Sequence, residues 1–163
     1  SPVRLLVIRH AHCVPERHKD GFEAPISDIG RRSVERIVPH IKPYFFQPII
    51  TYTPLRRTME TAYLLNQYLS GRVVEDLDFF WTSSMSVDEL SRDIAYMDNQ
   101  ILVGHGYMIM NLLYLFGVLY IDIGFLEGLL IEHDRGRIGD ISYVSPTGIL
   151  TDISKLKERN KKI

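Results

Sequence analysis

Cysteine is almost absent: Cys13 is the only one in 163 residues. A lone thiol excludes an intrachain disulfide and a cysteine-built zinc site, and it points to a reducing, cytoplasmic compartment. Neither sign of charge dominates. With 19 Lys and Arg against 20 Asp and Glu the net charge is −1, which gives no basis for binding nucleic acid. A long apolar run is missing too. The nearest approach, residues 107–121, is short of the ~20 residues a membrane span needs, and Asn111 interrupts it before Asp122 closes it. It reads as a core helix. No secretory leader, repeat, low-complexity tract or interdomain linker is read either. These absences predict a single domain over residues 1–163, with 149–163 as a solvated basic tail carrying Lys155, Lys157, Arg159, Lys161 and Lys162.

What is present begins with Leu5-Leu6-Val7-Ile8-Arg9-His10. An apolar run rich in branched side chains reads as a buried parallel strand. Because it stops at Arg-His, it delivers a guanidinium and an imidazole to the carboxyl edge of a sheet, where open α/β sheets bind ligands. Further strands are predicted at Pro48–Tyr52, Val73–Val74 and over Gln100–Gly106, the last ending in a histidine before Tyr107 opens the apolar helix, with a late hairpin at about 126–132 and 138–144. Between them, Ser27 is placed to cap a helix with the stripe Val34, Ile37, Val38 and Ile41, which Pro39 should kink or end. Thr53-Pro54 is placed as N-cap and N1 of a second helix, with Leu55, Met59, Ala62, Leu65 and Leu69 on its buried face. Ser86 and Glu89 form a capping box for a third helix with Val87, Leu90, Ile94 and Met97 on one side. Alternating strands and helices followed by an antiparallel element predict a three-layer α/β/α sandwich around a mostly parallel, mixed sheet.

Three strand-to-helix junctions carry the chemistry: Arg9-His10, Thr53-Pro54-Leu55-Arg56-Arg57 and Gly104-His105-Gly106. Neighbouring parallel strands end side by side, so these side chains converge. Two imidazoles and two guanidiniums beside helix N-termini make a cationic, donor-rich cup suited to a tetrahedral dianion.

These segments resemble the histidine phosphatase superfamily, the phosphoglycerate-mutase-like fold. Arg9-His10-Ala11 resembles its Arg-His-Gly signature, and Ile26-Ser27-Asp28-Ile29-Gly30 its Leu-Thr-x-x-Gly helix start. Thr53 to Ala62 is similar to Ser-Pro-Leu-x-Arg-Ala-x-Gln-Thr-Ala, and Val103-Gly104-His105-Gly106 to the strand carrying a second histidine. The resemblance implies that His10 is a nucleophile that becomes phosphorylated. His10 and His105 would be catalytic, with Arg9, Arg57 and His105 holding the phosphate and no metal or other cofactor required. The chain is about as short as the small bacterial phosphohistidine phosphatases it resembles.

Departures shape the expected substrate. The family's usual acid is a Glu after the third strand, with a Gly-x-x-Glu-Gly pattern beyond it. Here that region reads Glu75-Asp76-Leu77-Asp78-Phe79-Phe80-Trp81, and Asp78 is the candidate acid. A weakened acid favours leaving groups that depart easily, as in phosphohistidine or another phosphoprotein. The alternatives are a small-metabolite phosphatase or mutase, and a phospho-ligand binding module without turnover. A metal reading of His10-Ala11-His12 as a barrel His-x-His pair is poor, because such a barrel typically needs ~250 residues. Arg56 reads as an exposed helix residue, and Cys13 as an incidental thiol. His12 reads as lining the pocket mouth or as solvated, and His18, His40 and His133 as structural.

Overall fold

Strand β1 (Val3–Arg9) alternates strictly between two apolar layers: Leu6 and Ile8 join one buried cluster, Leu5 and Val7 the other. Both faces of the strand are therefore covered, as in the central strands of layered α/β folds. The computed structural model describes residues 2–14, 23–76, 84–119 and 121–160. β1 is the middle of a seven-stranded sheet whose other strands are β2 (Ile49–Tyr52), β3 (Arg72–Glu75), β4 (Gln100–Gly104), β5 (Gly128–Asp134), β6 (Arg137–Ser145) and β7 (Gly148–Leu150). The order across the sheet is β3-β2-β4-β1-β5-β6-β7. The first four strands are mutually parallel, and β5 to β7 extend the sheet antiparallel.

Helices α1 (Asp28–Ile41) and α2 (Arg56–Leu69) cover the Leu6/Ile8 face with Val34, Ile37, Ile41, Ala62 and Leu65. Helices α3 (Val87–Ile94) and α4 (Gly106–Leu115) cover the opposite face with Leu90, Ile94, Met108 and Leu112. The predicted three-layer mixed-sheet architecture is thus the observed one. Among the described residues no helix is long and apolar enough to cross a membrane.

Local readings fared unevenly. Ser27 caps α1, its hydroxyl accepting the Gly30 N–H at 3.0 Å, and Ser86 caps α3 by accepting from the Glu89 N–H at 3.1 Å. Pro39 does not end α1, which runs on to Ile41 before a short 3₁₀ turn at Lys42–Tyr44. Thr53 does not cap α2. That helix starts at Arg56 after an extended Leu55, so its buried face turns toward Thr58 and Thr61 while Met59 is exposed. Buried hydroxyls are tolerated there because each donates to a backbone carbonyl, Thr58 to Thr53 and Leu55, and Thr61 to Arg57. In α3, Val87 is exposed and Met97 lies beyond the helix end.

The tail expectation needs the largest correction. Residues 148–150 add β7 to the sheet, and helix α5 (Leu156–Asn160) docks on the body with Leu156 buried in the α3/α4-side cluster. The basic run that suggested a solvated end hides an apolar anchor at Leu156 and a paired Arg159.

Candidate active site

Sheet register builds the site. Arg9 lies opposite Gly104 across β1–β4, and Tyr52 opposite Val103 across β2–β4. One residue further along, His10, His105 and Thr53 therefore emerge side by side. Backbone bonds carry the register past the strand ends: the His10 N–H donates to the Gly104 carbonyl at 3.0 Å, and the Thr53 N–H to the Val103 carbonyl at 3.3 Å.

The two imidazoles meet edge to face with centroids 5.9 Å apart. His10 Nδ1 lies 2.8 Å from the Ala11 carbonyl. A carbonyl only accepts, so Nδ1 carries the proton and Nε2 keeps its lone pair. His105 Nε2 is 2.9 Å from the Thr53 hydroxyl, and its ring stacks on Tyr107 at 5.7 Å. Burial, reinforced by the nearby Arg57 and Arg9 charges against the bond to Ala11, pushes His10 from its ordinary 6.5 down to about 3. Burial and the same two guanidiniums push His105 down to about 4. Both rings are neutral at physiological pH.

Arg9 is held on two sides. Its guanidinium donates to the Ile123 carbonyl and lies over the Phe125 ring at 4.0 Å from the centroid. Arg57 on α2 acts electrostatically on Arg9 and on both imidazoles. The four residues predicted for the phosphate cup, Arg9, His10, Arg57 and His105, are thus brought together.

Around them stand residues that the sequence did not single out for the site. Thr61 receives the Ala11 N–H at 3.0 Å and so pins the turn after His10 to α2. Phe125 touches Arg9 and packs near both His10 and His12, at centroid distances of 5.7 and 4.9 Å. His12, which the sequence left as pocket-lining or solvated, is half-buried, with Nδ1 2.6 Å from Ser27 Oγ and its ring against Phe125. Gly30 has a steric reason: a Cβ there would lie 2.4 Å from the His12 carbonyl oxygen. A Gly-x-x-Glu-Gly pattern does exist in the chain, at Gly124-Phe125-Leu126-Glu127-Gly128, but it precedes β5 and does not follow β3. Flanking glycines around Phe-Leu-Glu were the one sequence signal for this loop.

Among the other singled-out residues, Arg56 is exposed and pairs with Glu60 at 3.2 Å. His133 is buried, with Nε2 2.7 Å from the Met97 carbonyl and Nδ1 accepting from the Gly136 N–H, a structural role. Cys13 is buried beside a bridge to Ile26. Among the described residues no cluster of three or more His, Cys, Asp or Glu side chains is arranged to hold a metal ion. Asp78, His18 and the Phe79-Phe80-Trp81 run lie outside the described residues.

The fold is shared with solved structures of histidine phosphatases and of a phosphoglycerate mutase. A protein assigned as the phosphohistidine phosphatase SixA of Agrobacterium tumefaciens superposes with a TM-score of 0.65 at 17% identity, over 90% of this chain and 99% of its own. The protein histidine phosphatase SixA complexed with tungstate gives 0.65 at 15% identity, over 88% and 97%. A mycobacterial glucosyl-3-phosphoglycerate phosphatase gives 0.60 at 15% identity, over 91% and 100%. No protein-family model and no curated protein sequence matches the chain.

Proposed function

We propose that the protein is a phosphatase working through a covalent phosphohistidine on His10, with phosphohistidine or another phosphoprotein as its substrate. The observation that carries this reading is the state of His10: a buried, neutral imidazole whose Nδ1 is engaged by the Ala11 carbonyl, 5.9 Å from the His105 ring and flanked by two guanidiniums. Only a neutral imidazole attacks phosphorus. In the first step the Nε2 lone pair forms a P–N bond as the P–O or P–N bond to the leaving group breaks, and the leaving group takes up a proton. Arg9, Arg57 and His105 offset the charge on the equatorial oxygens. In the second step water attacks phosphorus, the P–N bond to His10 breaks, and inorganic phosphate leaves with Nε2 restored.

The phosphoprotein preference rests on chemistry and on the neighbours' names. The segment after β3 departs from the family's acid pattern, reading Glu75-Asp76-Leu77-Asp78, so a leaving group that needs little protonation suits the site. Two of the similar structures are SixA proteins. The glucosyl-3-phosphoglycerate phosphatase favours the second reading, a small-metabolite phosphatase.

Incubation with a ³²P-labelled phosphodonor should place acid-labile, base-stable label on the wild type and none on His10→Ala. Label retained by His10→Ala overturns the nucleophile. Release of phosphate from a phosphohistidine protein, compared with sugar phosphates and phosphoglycerates for wild type and Asp78→Ala, separates the two substrate classes. A sugar phosphate that wins, and whose turnover alone collapses in Asp78→Ala, supports the metabolite reading.

A further inference from the structure

The segment between α4 and β5 does two jobs at once. It grips the Arg9-His10 backbone, with the Arg9 N–H donating to the Glu127 carbonyl at 2.9 Å and the Leu126 N–H to the His10 carbonyl at 3.1 Å. It also grips the Arg9 side chain, through the Ile123 carbonyl and the Phe125 ring. Leu126 holds φ at 57°, a left-handed conformation that a leucine adopts only when its surroundings impose it.

The next residue, Glu127, bonds back across this turn. It folds back so that Oε1 accepts the Gly124 N–H at 2.8 Å, the Tyr143 hydroxyl at 2.7 Å and Arg159 at 2.9 Å, with a second Arg159 nitrogen 3.4 Å from Oε2. Gly124 reserves the space, because a Cβ there would lie 2.8–3.0 Å from the carboxyl group. The bond to Gly124 closes the loop on itself, and the bonds to Tyr143 and Arg159 tie it to β6 and to the carboxyl-terminal helix α5. Tyr143 is fixed as a neutral donor, its hydroxyl pushed far up by burial and by the Glu127 carboxylate.

We infer that Glu127, clamped by Arg159 and Tyr143, is a positioning residue that sets the Arg9 guanidinium through the Ile123–Glu127 loop. The carboxyl-terminal helix then governs how tightly the pocket holds a phosphoryl group. This rests on the reading of Arg9 as a phosphate ligand. Glu127 itself touches no reacting atom. Its oxygens are taken up by the three donors, and its charge is felt by Arg9.

Calorimetric titration of the full chain with orthovanadate and with orthophosphate tests the coupling without requiring a known substrate. Glu127→Ala should weaken both by about tenfold, the size typical of residues that orient a ligand-holding side chain. Arg159→Leu, a change at a half-exposed position that leaves the core intact, should weaken them less, and Arg159→Lys should restore most of the loss. Where a substrate is turned over, kcat should fall and KM rise together. Arg4→Leu, which removes the remote Arg4–Glu132 pair, should change neither anion's affinity. Wild-type binding with unchanged affinity in Glu127→Ala and Arg159→Leu, whatever their melting temperatures, overturns this inference and leaves the phosphatase reading standing. A wild type that binds neither anion overturns both.

Discussion

The parallel and antiparallel halves of the sheet contribute to the site in different currencies. β1, β2 and β4 end in side chains with chemistry of their own: Arg9-His10, Thr53 with Arg57 four residues further on, and His105. The antiparallel half, entered through residues 121–127, supplies a carbonyl at Ile123, a ring at Phe125 and a clamped carboxylate at Glu127. Parallel strands must end together at one edge, so their termini gather reactive groups by topology alone. An antiparallel strand brings its preceding loop to that same edge, where it shapes and holds what the first half presents.

The largest test of this division compares reacting groups with supporting ones. Arg57→Ala or His105→Ala should lower kcat/KM by on the order of 10²–10³-fold, the usual loss when a charge-stabilising donor is removed from a transition state. Phe125→Ala, which takes only a stacking partner from Arg9, removes an interaction of about 0.5–2 kcal/mol and should cost roughly 2- to 30-fold. Equal losses in steady-state kinetics would break the division.

A smaller effect separates holding from reacting within α2. Thr61→Val keeps shape and leaves the buried Ala11 N–H without its acceptor. Chemical denaturation should show a loss of about 1–3 kcal/mol, with phosphoenzyme formation slowed far less than in Arg57→Ala.

The smallest expected change is with pH. His10 and His105, held down to about 3 and about 4, stay neutral well below their ordinary range. The acid limb of kcat/KM, which reports the free enzyme, should therefore stay flat from neutrality to near pH 4 and fall below it. Folding stability follows a different window. The unfolded chain takes up protons on these histidines near 6.5 and the folded chain does not, so stability falls as pH drops from about 6.5 toward 3–4 and is unaffected by them above it. An acid limb centred near 6.5 would show that the imidazoles are solvated and not held neutral by burial at the parallel edge.

Much of this was legible in residue order. Period-2 alternation in Leu5 to Ile8, helix stripes such as Val34, Ile37 and Ile41, and the caps at Ser27 and Ser86 are local consequences of side-chain spacing, and they stand as read. The convergence of Arg9, His10, Arg57 and His105 was also legible, because strand-end residues of one parallel sheet have nowhere else to go. Readings failed where a residue had two possible partners. Thr53 carries a hydroxyl that suits a helix cap, but His105, beside it at the sheet edge, claims it.

Sequence alone determined the layered α/β/α architecture and the identity of the cationic, imidazole-bearing edge, since both follow from short-range pattern and the geometry of parallel strands. Tertiary structure alone decided how that edge is held. Glu127, Tyr143 and Arg159 are 16 residues apart at each step along the chain, and a bond across such a separation leaves no periodic trace. The same holds for Leu156, one apolar residue in a basic stretch, whose burial turned an expected solvated end into a helix docked on the body and paired with Glu127.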